Sequence, residues 1–207
     1  MPWQLTAEIT DSRELHWGDM LTEEEQNQLP EKYSHLGMEH GVPFHPDLPP
    51  IPYGLTINNR KRHTTVPAIC SGRFAYDIFF DEGMKALIEE MEPGVHFFHL
   101  VSLYSQSEEL FDTKHFLFRA DQLIDGIIPE QSEVVPKHMN GTLRRYLETA
   151  VWPKITWAED AIAGRHLWMD KYFKRSLYCS DAFLEQLQKR NVGHYRTFPS
   201  FTAHRLH

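Results

Sequence analysis

Residues 75–104 read AYDIFFDEGMKALIEEMEPGVHFFHLVSLY, and the hydrophobic period changes twice within them. Ala75 to Phe80 alternates and is rich in aromatics, the pattern of a strand. Asp81 can accept the free N–H groups of a helix start. Met84, Leu87, Ile88 and Met91 then fall at i, i+3, i+4 and i+7, one face of an amphipathic helix. Pro93 and Gly94 end that helix, and Val95 to Tyr104 returns to strand character. Lys114 to Ala120 reads as the hairpin partner of that strand, across a polar loop holding Glu108, Glu109 and Asp112.

The same order returns near the C-terminus. Ser176 to Cys179 reads as a strand, and Ser180 or Asp181 caps a helix carrying Phe183, Leu184 and Leu187. Asn191 and Gly193 stop that helix, and His194 to Phe198 resumes a strand. When Gly94 is aligned with Gly193, Met84 falls opposite Phe183 and Ile88 opposite Leu187. The expectation is an α+β fold of two small strand–helix–strand units with antiparallel sheet.

Further towards the N-terminus the pattern weakens. Thr22 with Glu25 forms a capping-box signature for a short acidic helix over about residues 23–29, stopped by Pro30. Gly37, Gly41, Pro43, Pro46, Pro49, Pro50, Pro52 and Gly54 predict an irregular connection over 37–54, with a brief strand at Leu55 to Ile57. The expected division is an irregular region over 1–70, a first unit over 71–135 and a second over 136–207.

Composition narrows the function. Hydrophobic residues make up 41% and charged residues 24%, ordinary globular usage, while the 13% aromatic share suits both a core and an interface. With 29 acidic against 21 basic side chains the net charge is -8, which disfavours nucleic acid and favours a basic protein partner. The run Arg60, Lys61, Arg62, His63 is too short for a nucleic-acid footprint. Two cysteines, Cys70 and Cys179, make no disulfide framework. The first residues lack a basic segment followed by an apolar one, and no run of apolar residues is long enough to span a membrane. The expected location is therefore the cytoplasm.

Candidate chemistry is sparse. Thirteen histidines are present, with His35, His40 and His45 spaced five apart. That spacing shares no face on a helix or a strand, so ligation would need a special loop. His96 and His99 fall on opposite faces of their expected strand, and His204 and His207 read as solvated. Cys179-Ser180-Asp181 at a strand-to-helix turn resembles a nucleophile cluster with His166 or His194 as base; equally, Cys179 packs as a small hydrophobe and Ser180 caps the helix. Trp152 and Trp157 read as packing residues or a ligand platform, and Glu89-Glu90 as solvated. Phosphate-loop, nucleophile-elbow, zincin and dinucleotide motifs do not occur in the sequence.

PGVHFFHLVSLYSQSEELFDTKHFLFRADQLIDGIIPEQSEV (93–134) resembles the middle of the immunity-protein-11 family of bacterial polymorphic-toxin systems. It does so through Phe97 and Phe98, Lys114 to Arg119, Leu123 to Ile128, and Ser132. AGRHLWMDKYFKRSLYCSDAFLEQLQKRNVGHYRTF (163–198) is similar to that family's end through Gly164, His166, Trp168, Ser180, Asp181 and Gly193. FFDEGMKALIEEMEPG (79–94) resembles its first helix, so the likeness runs mainly over 75–200. It implies a protein that binds and neutralises a cognate toxin or secreted effector by occlusion, with no reaction, no metal and no cofactor. Glu108, Glu109 and Asp112 are the expected toxin-steering residues. The competing reading is a small enzyme or metal-binding protein using Cys179 or the clustered histidines.

Overall fold

The computed structural model describes residues 1–7, 13–17, 51–57, 66–72, 78–104, 112–150, 153–174, 176–193 and 195–204. The strands are β1 (Trp3–Ala7), β2 (Arg13–Trp17), β3 (Ile51–Ile57), β4 (Ile69–Gly72), β5 (Ile78–Asp81), β6 (Phe97–Tyr104), β7 (His115–Arg119) and β8 (Leu123–Ile124). They continue as β9 (Val134–Met139), β10 (Thr142–Glu148), β11 (Thr156–Ala158), β12 (Leu167–Asp170), β13 (Leu177–Cys179), β14 (Tyr195–Pro199) and β15 (Phe201–Ala203). The α-helices among these residues are α1 (Glu82–Met91), α2 (Glu159–Ile162) and α3 (Asp181–Lys189). The class is α+β with strand predominating. By its internal contacts the chain divides into two units, one of residues 7–121 with 192–195, the other of 1–6, 122–191 and 196–207.

The first unit is a closed barrel in the order β2-β3-β6-β7-β5-β4. Phe79 and Phe80 are adjacent in β5 and both fully buried. Successive strand residues point to opposite faces, so β5 is covered on both sides. α1 packs on β5 and β7 through buried Met84, Leu87 and Ile88. Each such side chain contributes about 1.5–3 kcal/mol on leaving water. The helix starts as its sequence requires, with Asp81 Oδ1 accepting the Met84 N–H at 2.7 Å. Its end is marked by Gly94 at φ +71, a backbone that L side chains avoid. Phe118 gathers the aromatic packing, with ring centres of Phe80, His96 and Phe98 at 5.0, 5.2 and 5.6 Å.

The second unit holds a sheet in the order β14-β1-β13-β12-β8, a β9–β10 hairpin, and a β11–β15 pair. All three residues of β13 are buried. Trp157 stands edge-on to Trp168 and Tyr178, with ring centres 5.8 and 4.8 Å apart, at the middle of an aromatic core. Gly126 lies against it: a Cβ there would meet Trp157 Cε3 at 3.0 Å. Ser180, not Asp181, caps α3, accepting the Phe183 N–H at 3.2 Å.

Three expectations need correction. The first 70 residues are not uniformly irregular, since β1, β2, β3 and the first half of β4 lie within them. In particular Ile51 to Gly54, expected as irregular, is strand paired in parallel with Val101 to Tyr104. Its pairing with β6 overrides the local preference of Pro52 and Gly54 against a strand. The sheets are mixed, not antiparallel: β2–β4, β3–β6, β8–β12 and β11–β15 are parallel pairs. Finally, the two strand–helix–strand runs are not self-contained. β7 pairs antiparallel with both β5 and β6 and lies between them, and β1 lies between β13 and β14. The expected helix at 23–29 and the basic run at 60–63 fall outside the described residues.

Candidate functional site

The nucleophile-like cluster at the start of α3 is built as a structural joint. Cys179 is fully buried, and burial, with the Asp181 charge beside it, pushes its thiol up to about 12. A thiol at that value stays protonated at neutral pH and is a poor nucleophile. His166 Nδ1 sits 3.0 Å from Ser180 Oγ, and the Ser180 N–H donates to the His166 carbonyl at 3.0 Å. Because Ser180 Oγ also accepts the Phe183 N–H, the histidine steadies a capped helix start. Asp181 accepts the Trp3 indole N–H at 2.7 Å and pairs with the Met1 amino group, tying the first strand to the same corner.

The histidines divide by environment. His35, His40, His45, His63, His194 and His207 lie outside the described residues. His96 precedes β6 instead of lying within it, and its Nε2 meets Glu92 Oε2 at 2.7 Å with both side chains buried. His115 Nε2 lies 3.0 Å from the Pro67 carbonyl, and His99 is buried as well. His204 is exposed and lies 3.3 Å from Glu159. Among the described residues no group of three or more His, Cys, Asp or Glu side chains is arranged to hold a metal ion. Trp157 is a core residue at 0% exposure, while Trp152 lies outside the described residues.

Asp170 is a buried ionisable group that sequence reasoning missed. Its Oδ2 accepts the N–H groups of Gly126 and Ile127 at 3.2 and 3.3 Å, and its Oδ1 accepts that of Tyr172 at 2.7 Å. Burial outweighs these three bonds and raises the carboxyl from 3.8 to about 6. Nothing local in the sequence marks it, because two of the three donors lie more than 40 residues away. The carboxylate organises the loop from Ile124 to Ile127; it faces backbone and no reacting group.

The remaining distinctive chemistry is on the surface. Asp112 is exposed just before β7, while Glu108 and Glu109 lie outside the described residues. The β9–β10 hairpin turns at Asn140-Gly141, with φ of 52 and 75, the geometry a two-residue hairpin demands. Val134 and Tyr146 are buried at its root, whereas Val135, Met139 and Leu147 are 50%, 55% and 38% exposed. Asn140-Gly141 is the local sequence signal that marks this hairpin.

These surfaces can bind; the buried groups hold the fold. No curated protein matches the chain. A family model described as "Immunity protein family (Imm11)" matches residues 18–198, reaching well into the N-terminal third where the sequence resemblance had found little. That match covers most of the sequence and both units, and the chain belongs to the Imm11 immunity protein family.

Proposed function

We propose that this immunity protein neutralises its cognate bacterial toxin by covering a surface the toxin needs, and that it performs no chemistry of its own. The observation that carries the non-catalytic part is the corner at Cys179 and Ser180. Its thiol is buried and protonated, and its hydroxyl is committed to a helix cap. A standard interface of about 800 Å² per partner is enough for tight inhibition. The toxin is met in the cytoplasm, and the net charge of -8 speeds capture of a basic toxin, with Glu108, Glu109 and Asp112 as the steering cluster.

Co-expression tests this reading. Cells producing the toxin encoded by the neighbouring gene survive only when this protein is present, and the two co-purify. Cys179→Ser and His166→Ala keep protection, whereas an enzyme using the thiol would lose it. Charge reversal of Glu108, Glu109 and Asp112 together slows association; an unchanged rate removes the steering assignment.

A further inference from the structure

In an antiparallel pair, opposed residues share a face and alternate residues along each strand keep to it. The registers Val134↔Glu148, Tyr146↔Pro136 and Leu143↔His138 therefore define the inner face of the β9–β10 hairpin. Tyr146 and Val134 belong to the aromatic core, and Leu143 packs against it. The outer face carries Val135 opposite Leu147, Lys137 opposite Arg145, and Met139 at the tip. The register shift between Leu143 and Arg145 adds Arg144 to the same end.

Two features of this face cost stability. Val135, Leu147 and Met139 leave apolar surface in water. Lys137 and Arg145 are like charges directly across the ladder, a pairing that works against the hairpin. The root is nonetheless held firmly. The Tyr146 N–H donates to the Tyr172 carbonyl at 2.9 Å, their rings stand edge-on at 6.2 Å, and Thr149 Oγ1 donates to the Glu133 carbonyl at 2.8 Å. A fixed scaffold presenting an unfavourable face is what a preorganised binding surface looks like. The charge is also local: Lys137, Arg144 and Arg145 stand against Glu148 alone within the hairpin strands, on a protein of net charge -8.

We infer that this outer face is where the protein grips its toxin, and that it receives an acidic patch edged by apolar side chains. The inference rests on the toxin-binding function proposed above. Carboxylates set between Lys137 and Arg145 relieve their repulsion, and apolar groups on either side cover Val135, Leu147 and Met139. Strand addition does not fit, since Pro136 offers no N–H on β9 and Lys137 blunts the edge. The net charge of -8 opposes an anionic lipid surface. Steering by net charge acts at a Debye length, whereas this face acts in contact, so the two are separable by ionic strength.

The test uses the full-length protein and an inactive variant of the toxin encoded by the neighbouring gene. Lys137→Glu places opposite charges across the ladder, so melting temperature holds or rises while toxin affinity falls at least about tenfold. Val135→Ser with Leu147→Ser also weakens binding, and Glu185→Lys, exposed on α3, leaves it unchanged. If the wild type binds and protects but Lys137→Glu binds equally well, this inference is overturned and the function stands. If the wild type neither binds nor protects, both fall. Self-association abolished by the same substitutions, or capture by phosphatidylserine vesicles that tracks them, would assign the face to a second copy or to lipid and overturn it.

Discussion

Asp170 shows how far one side chain's chemistry depends on its surroundings. Its carboxyl is raised from 3.8 to about 6 because burial outweighs three N–H bonds. Below about pH 4 it is protonated in folded and unfolded chains alike, and it adds no pH dependence. Between about pH 4 and 6 the unfolded chain releases its proton first, so folding stability falls as pH rises. Above about 6 the loss is complete, at about 3 kcal/mol. Asp170→Asn, fixed in the neutral form, lacks this loss. Urea unfolding from pH 4 to 7 is expected to show the variant gaining on the wild type by about that amount, and parallel profiles would refute the account. Cys179 is shifted the same way by the same cause, burial pushing its thiol up to about 12. Iodoacetamide at neutral pH is expected to modify it only in denaturant, as followed by intact mass.

At the scale of elements, caps and turns decide what forms alone and what needs a neighbour. Asp81→Ala removes the acceptor for the Met84 N–H and is expected to cost about 1 kcal/mol in thermal unfolding, with Asp81→Ser restoring most of it. Gly141 sits at φ +75 in the hairpin turn, so Gly141→Ala strains the turn by about 1–2 kcal/mol. Hydrogen exchange is expected to quicken across β9 and β10 while the barrel strands β5 to β7 keep their protection; uniform quickening would mean the hairpin is not a separate element. α1, α3 and the β6–β7 pair were legible in the sequence because periodicity, caps and a short connection act among near neighbours. Their bounds shifted by only one or two residues, as with β6 starting at Phe97 instead of Val95. Of the strands in the N-terminal region, only the Leu55 to Ile57 end of β3 was legible. β3 owes its form to Val101 to Tyr104, some fifty residues on, and its own Pro52 and Gly54 argue against a strand when read alone.

At the scale of the molecule, a net charge of -8 predicts a salt-dependent encounter. Association with the toxin is expected to slow about tenfold or more between low and high salt while dissociation changes little, measured by stopped flow; a flat rate would exclude steering. The Imm11 match over residues 18–198 gives that encounter its partner class. By itself the sequence determined the α+β class, the two capped amphipathic helices and the immunity family. Those signals are local pattern, or likeness spread along the chain. Only the tertiary structure placed β7 between β5 and β6, set Trp3 against Cys179 in one sheet, silenced the Cys179 thiol and turned Val135, Lys137, Arg145 and Leu147 outward together. Pairing and burial are fixed by residues far apart along the chain, and no window of sequence contains them.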